Sequence, residues 1–405
     1  MLYKGNIELS TKKISAIVSF LMLLSVALGI FLGSWFVNAH NGSVAFAGVV
    51  LDTLYPSPEA VLNKKAANIV NRMNYREKLG QMVMIGVRGT EVNSVDEQML
   101  SQYHIGNIIL FDRNIKSWEQ TTKLVADLQK VAREKGGQPV PLLVAIDEEG
   151  GRVVRGKDVI EPPPAQKSIG ETNNPDNAEE WARKTGKNLQ ALGINVNFAP
   201  VADVAYNVSR DFSGNYDKAT SFVKAAARGY SSVQEIFTLK HFPGIGRGTV
   251  DSHKDVSSID VSLEELRQTD LKPFQAVIDE NKNHNFFVMI SHLKYPQLDK
   301  DNTASQSYNI ITNLLRHDMG FNGLVITDDM AMGAVSKYGS FNHTGVNAVK
   351  AGADIVLICH EHSHQVEIYN GLVAAYEAGE LDKNKIDASV RRIVKAKLRL
   401  NTLIQ

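Results

Sequence analysis

The chain has 405 residues, 43% hydrophobic and 22% charged, and its 44 Lys+Arg balance 44 Asp+Glu. That balance excludes the basic field of a nucleic-acid binder and the acidic tract of a disordered tail. The single cysteine, Cys359, excludes an intrachain disulfide and a cysteine-held zinc.

From Ile14 to Val37 there is no charged side chain, and Ile, Val, Leu, Phe, Ala and Met dominate. This run exceeds the ~20 residues that a helix needs to cross a bilayer. Lys4, Lys12 and Lys13 precede it and no Lys or Arg follows before Lys64, so residues 1–37 read as a cytoplasmic N-terminus and a signal-anchor, with the body outside. Small residues at Val37-Asn38-Ala39 and Ala45-Phe46-Ala47 offer the rival reading, a cleaved signal peptide and a secreted product. The apolar run is longer than the ~7–15 residues of a signal-peptide core, which favours the uncleaved anchor. No Cys near the segment is available for lipidation. Residues 38–60 read as a turn-rich linker and 61–405 as the catalytic body.

In the body, short apolar runs alternate with amphipathic segments of helix length, the pattern of repeated βα units. Strands are expected at Gln81–Val87, Ile105–Phe111, Pro141–Glu149, Asn195–Pro200, Ile236–Phe242, Phe286–His292, Gly323–Asp329 and Asp354–His360. Eight such units predict an α/β fold: a single (β/α)8 TIM-type barrel preceded by the transmembrane helix. Helices are expected over Ala178–Leu192 and Ser262–Asp279, the second with Ser262 and Glu265 in capping-box register and Pro273 placed to break or kink it. An amphipathic helix from Ile386 to Leu400 closes the fold.

Polar residues gather at the strand ends: Asp147, Glu148 and Glu149 after the third, Asp203 after the fourth, Lys240 and His241 in the fifth, Ser291 and His292 after the sixth, Asp328 and Asp329 after the seventh. In a (β/α)8 barrel the C-terminal strand ends carry the active site, because the βα loops converge there. Any one of these residues reads equally well as a helix cap, but five strands sharing the feature do not. The stretch Lys240 to His253 adds a loop with three glycines and a proline, tipped by Asp251 and His253. In an extended segment residues two apart project to one side. A carboxylate beside an imidazole raises its basicity and fixes its tautomer, which suits a proton donor and acceptor near neutral pH.

The runs Ile146-Asp147-Glu148-Glu149-Gly150-Gly151-Arg152-Val153, Asn197-Phe198-Ala199-Pro200-Val201-Ala202-Asp203-Val204, Lys240-His241-Phe242-Pro243-Gly244, Asp251-Ser252-His253 and Ile326-Thr327-Asp328-Asp329-Met330 resemble glycoside hydrolase family 3, and most of all its NagZ-type β-N-acetylhexosaminidase branch. The resemblance implies a retaining double displacement on terminal β-linked N-acetylglucosamine of cell-wall fragments. It assigns Asp328 as nucleophile and the Asp251–His253 pair as acid/base, in place of the second carboxylic acid of most retaining glycosidases. Asp147, Arg155, Arg210, Lys240 and His241 are implied to bind the sugar, and Asp329 to be a structural hydrogen bonder. No metal and no cofactor is called for; the partners expected are the carbohydrate and, through the N-terminal helix, the membrane, with the chain a monomer.

The sequence departs from the pattern twice. Asp211-Phe212-Ser213-Gly214 follows Arg210 where the family has Ser-Phe-Gly, placing an added acid next to the sugar pocket, and Ile245 replaces the usual histidine of Pro-Gly-His-Gly. His360, His362 and His364 read as a solvated loop rather than a metal site, His292 as a residue of the pocket mouth, and Cys359 as a small buried apolar residue. Two further readings are a phosphorylase of the same branch, since a histidine acid/base repels phosphate less than a carboxylate, and a non-catalytic muropeptide-binding barrel, against which the intact Asp328, Asp251 and His253 argue.

Overall fold

The computed structural model describes residues 57–205, 209–248, 258–332 and 339–401. The apolar run Ile14–Val37, the linker up to residue 56, and both Asp251 and His253 lie outside the described residues. Among the described residues no helix is long and apolar enough to cross a membrane. By its internal contacts the chain divides into Met1–Lys64 and Lys65–Gln405, and the second unit holds every strand of the described residues.

Eight parallel strands run β1 Val83–Gly86, β2 Asn107–Leu110, β3 Leu143–Ile146, β4 Val196–Asn197, β5 Ile236–Phe242, β6 Phe287–Ile290, β7 Leu324–Thr327 and β8 Val356–Ile358. From β1 to β7 each pairs with its sequence neighbours, and β8 pairs with β1 through the register Val83 to Val356. Between β7 and β8 a single parallel bridge, Ile326 to Ile355, brings the two ends of the sheet together. The result is a nearly closed eight-stranded α/β barrel of the TIM type. Every residue of the eight strands is buried, which is why the strands read as unbroken apolar runs rather than as alternation.

The ends are shorter than the sequence suggests, because the polar residues there leave the ladder. The expected strand Pro141–Glu149 stops at Ile146, and Glu148–Gly150 instead forms a small antiparallel ribbon with Val153–Val154. The expected helix Ser262–Asp279 is two helices, Leu263–Gln268 and Lys272–Glu280, with Pro273 in the first turn of the second, where its missing N–H costs nothing. Ser262 caps the first by accepting from the Glu265 N–H at 3.1 Å, but the box is incomplete: the Glu265 carboxylate turns to Arg247 at 2.6 Å. Asp176–Ala191 and Lys383–Asn401 match the other two expected helices to within a few residues.

Candidate active site

A cavity of about 510 Å³ opens at the C-terminal ends of the strands. Asp147, Arg155, Arg210, Lys240, His241 and Asp328 all line it. Lys240 and His241 are consecutive, and strand alternation alone would send them to opposite faces. The β5–β6 register shifts between Leu239 and Phe242, and an irregularity of this kind re-aims side chains. The Lys240–His241, Ala199–Pro200 and Phe242–Pro243 peptides are cis.

One wall is an ionic cluster. Lys240 Nζ lies 2.7 Å from both Asp147 Oδ1 and Glu149 Oε1. Arg210 clasps the same Glu149 in a bidentate pair, Nε to Oε2 and Nη2 to Oε1, each 2.8 Å. Burial by itself would raise the Glu149 pKa, but the charges of Lys240 and Arg210 outweigh it and hold the carboxyl well below the usual range. Burial would likewise lower Lys240, and Asp147 and Glu149 reverse the sign. Glu149 and Lys240 therefore stay ionised, and Asp147 and Arg210 are the members partly open to the cavity.

His241 is fixed from behind. Its Nδ1 is 2.7 Å from Asp203 Oδ2, while Asp203 also accepts from the backbone N–H groups of His241 and Ile245. A fully buried carboxylate so bound orients the imidazole and ties β5 to the loop that follows. Arg155 is held by aromatic contact, its guanidinium 5.7 Å from the Phe111 ring, and its buried Nε has no hydrogen-bond partner.

Asp328 follows β7 and enters the same cavity. Burial would raise its pKa; the basic side chains about it, His241 foremost, and the Asp329 N–H at 2.8 Å outweigh that and hold it below the ordinary carboxylate value. Asp329 braces the backbone, Oδ1 accepting from Ala331 N and Cys359 N, each at 3.1 Å, while it too borders the cavity.

Three expectations need correction. His292 is not at the mouth: it is 1% exposed, with Nδ1 at 2.8 Å from Ser305 Oγ and Nε2 donating to Asp329 O at 3.1 Å. Asp211 is buried and does not line the cavity, so it adds no acid to the pocket wall. His362 and His364 open the helix His362–Glu377 rather than sit in a loop, and only His360 reaches the cavity rim. Ile245 does line the cavity, beside Met289 and Met332, and gives it an apolar side. Among the described residues no three His, Cys, Asp or Glu side chains group as a metal site.

Sequence reasoning does not single out Glu149 or Asp203 as a binding or catalytic residue. The signal for Glu149 is arithmetic: two basic residues expected beside one acid in a buried pocket require a second acid. Nothing in the spacing pairs Asp203 with His241.

Residues 74–396 match the Glycosyl hydrolase family 3 N terminal domain, and the chain belongs to that family. Its relatives are named beta-hexosaminidases. It is 32% identical over 303 residues to the Beta-hexosaminidase of Idiomarina loihiensis, covering 73% of this chain and 88% of that one. It is 33% identical over 331 residues to the Beta-hexosaminidase A of Pseudoalteromonas piscicida, but spans only 55% of that protein's length. Among solved structures it is similar to a family 3 beta-N-acetylglucosaminidase from a Paenibacillus strain, with TM-score 0.78 and 34% identity over 81% of this chain and 62% of that one. A Beta-N-acetylhexosaminidase from Beutenbergia cavernae gives TM-score 0.73 and 30% identity over 80% and 98%.

Proposed function

We propose that the chain is a retaining β-N-acetylhexosaminidase that removes terminal, non-reducing β-linked N-acetylglucosamine from peptidoglycan fragments. The observation that carries this is an ionised Asp328 in one cavity with the Asp147–Lys240–Glu149–Arg210 cluster. Asp147 accepts two sugar hydroxyls while Lys240, His241, Arg155 and Arg210 surround the ring, so that the anomeric carbon faces Asp328. The Asp328 carboxylate attacks that carbon as the bond to the departing oxygen breaks. His253, protonated and oriented by Asp251, gives that oxygen its proton. Neutral His253 then takes a proton from water, the hydroxide adds to the anomeric carbon with net retention, and Asp328 is released.

His253→Ala tests the division of roles. Turnover of a substrate with a poor leaving group is expected to collapse, while an activated aryl glycoside, which departs unaided, loses much less in the first step. Azide, a nucleophile that needs no base, is expected to speed release and give a β-glycosyl azide. Equal losses on both substrates with no azide product would make His253 a binding residue. Running the reaction with and without phosphate separates hydrolysis from phosphorolysis by the products alone.

For residues 1–37 the proposal is an uncleaved anchor with the body outside, supported by the lysines before the apolar run and none soon after. A reporter fused after Gln405 that works only in the cytoplasm would refute it.

A further inference from the structure

At the opposite end of the barrel, where the chain enters β5 and β6, lies a second cavity of about 560 Å³. It is bounded by Gln234 and Glu235 before β5, by residues 281–286 before β6, and by the end of the closing helix at Arg399. In a TIM barrel this face serves stability, and the catalytic chemistry sits at the other end. A cavity as large as the catalytic one therefore needs its own account.

Glu235 is 2% exposed, and neither of its carboxyl oxygens has a hydrogen-bond partner. The Gln190 amide, which donates to the Val233 carbonyl at 2.7 Å, approaches it with its second N–H and only partly offsets the burial. Leaving a buried polar group unpaired is destabilising. Burial pushes the Glu235 pKa well above the ordinary value and so favours the un-ionised carboxyl, which is both donor and acceptor. Around it the amides of Gln234 and Asn283 make no hydrogen bond among the described residues, and the Asn285 amide uses only its oxygen, with Arg399 at 3.2 Å. Gln234 and His284 adopt left-handed φ values of 61° and 44°, uncommon for such residues.

The charges nearby are already engaged. Arg399 donates to Asn283 O and Asn285 Oδ1, and Glu280 is paired with Lys224 and Arg228. His284 accepts the Asn322 N–H on Nδ1 and so donates from Nε2 to Ile278 O, which makes it neutral; burial also lowers its pKa. Among the described charged residues of this cavity, Glu280 and Lys282 stand exposed at the rim. An anion finds no converging cations, and a cation finds no ionised acid without a partner. The interior wall is the stacked pair Phe237 and Phe286, centroids 4.8 Å apart.

We propose that this cavity is a second, non-catalytic site for a neutral polyhydroxylated ligand, a mono- or disaccharide unit, held by the Glu235 carboxyl and the Gln234, Asn283 and Asn285 amides. A sugar hydroxyl both donates and accepts, as an un-ionised carboxyl does, and amides supply the same pairing. The volume lies within the range of small-molecule sites. The site goes beyond the proposed activity and does not depend on it.

Calorimetric titration of the full chain with N-acetylglucosamine provides the test. The wild type is expected to bind two molecules per chain, while Asn283→Trp, which fills the mouth from an exposed position, and Glu235→Leu, which removes the carboxyl, each bind one. Both variants are expected to keep kcat/KM on an aryl N-acetylglucosaminide within about twofold, since the two cavities lie at opposite ends of the barrel. A wild type in which every binding event survives both substitutions, or which binds no N-acetylglucosamine, overturns the proposal, whereas a single event that both substitutions abolish supports it and counts against the proposed activity instead. If Glu235→Leu fails to fold, Asn283→Trp decides alone.

Discussion

The two ends of the barrel bury ionisable groups in opposite ways. At the C-terminal end, Glu149 is buried with Lys240 and Arg210 on either side, and all three keep their charges. At the N-terminal end, Lys397 is 0% exposed and donates only to neutral acceptors, Gln81 Oε1 and Gly106 O, both at 2.6 Å. Burial alone drives its pKa well below the ordinary lysine value. Desolvation opposes the charged form of both groups, so it is the partner charge that decides whether a buried group stays ionised. Asp354 follows the same rule at the N-terminal end, since Arg316 and Arg392 flank it and its pKa is lowered despite burial. Catalysis needs the ionised kind and packing tolerates the neutral kind.

The sharpest way to break this comparison is Glu149→Ala. It leaves Lys240 and Arg210 without their shared acid, and removing one partner of a buried pair costs about 3–5 kcal/mol. A marked fall in melting temperature together with a fall in kcat/KM is expected, with Glu149→Gln losing less. A variant with unchanged stability would mean that solvent screens the cluster.

Glu148 sharpens the contrast because it is the neighbour of Glu149 yet has no cation bonded to its carboxylate. Burial pushes it up to about 7, with the Gly156 N–H at 2.8 Å as a partial offset. Between the unfolded value of about 4.3 and the folded value, the folded chain holds the proton more tightly, so this group removes stability as pH rises. The stability of Glu148→Gln relative to wild type is expected to grow by about 3 kcal/mol from pH 4 to pH 8, read from urea unfolding. A difference that is flat with pH would place the Glu148 carboxyl in contact with water or a charge.

Lys397→Met is expected to change least near pH 10.4 and above, where the unfolded chain also releases the proton, and to stay there within about 1 kcal/mol of wild type because an apolar residue of similar length replaces the lysine. The unfolded chain binds the extra proton up to about pH 10.4, so wild-type stability from this residue rises as pH rises toward that value and the variant lacks that rise. The same pair of titrations run at high pH checks the sign.

The barrel is legible in the sequence because strands buried on both faces are continuous apolar runs, and β5 matches its expected span to the residue at Ile236–Phe242. Strand ends are not, since a polar residue such as Asp147 or Asp328 leaves the ladder where its side chain turns into the cavity, a choice that local sequence does not encode. In the site, Asp147, Arg155, Arg210, Lys240, His241 and Asp328 are legible from motifs, and they share one cavity. What holds them is less so: Asp203 meets His241 across 38 positions and Glu149 meets Arg210 across 61. Such pairs exist only once the strands are side by side. Asp211 shows the converse, where adjacency in sequence to Arg210 suggests a place in the pocket and the residue is buried away from its lining.

The proposed chemistry turns on a covalent bond between Asp328 and the sugar. Rapid mixing of an activated aryl β-N-acetylglucosaminide with the His253→Ala variant, acid quench and peptide mass mapping test it directly. A single N-acetylhexosaminyl adduct is expected on the peptide carrying Asp328, absent from the same peptide when Asp328→Ala is added, with turnover lower by at least about a thousandfold. An adduct on another residue, or a first-formed product of inverted configuration with no adduct, would contradict it.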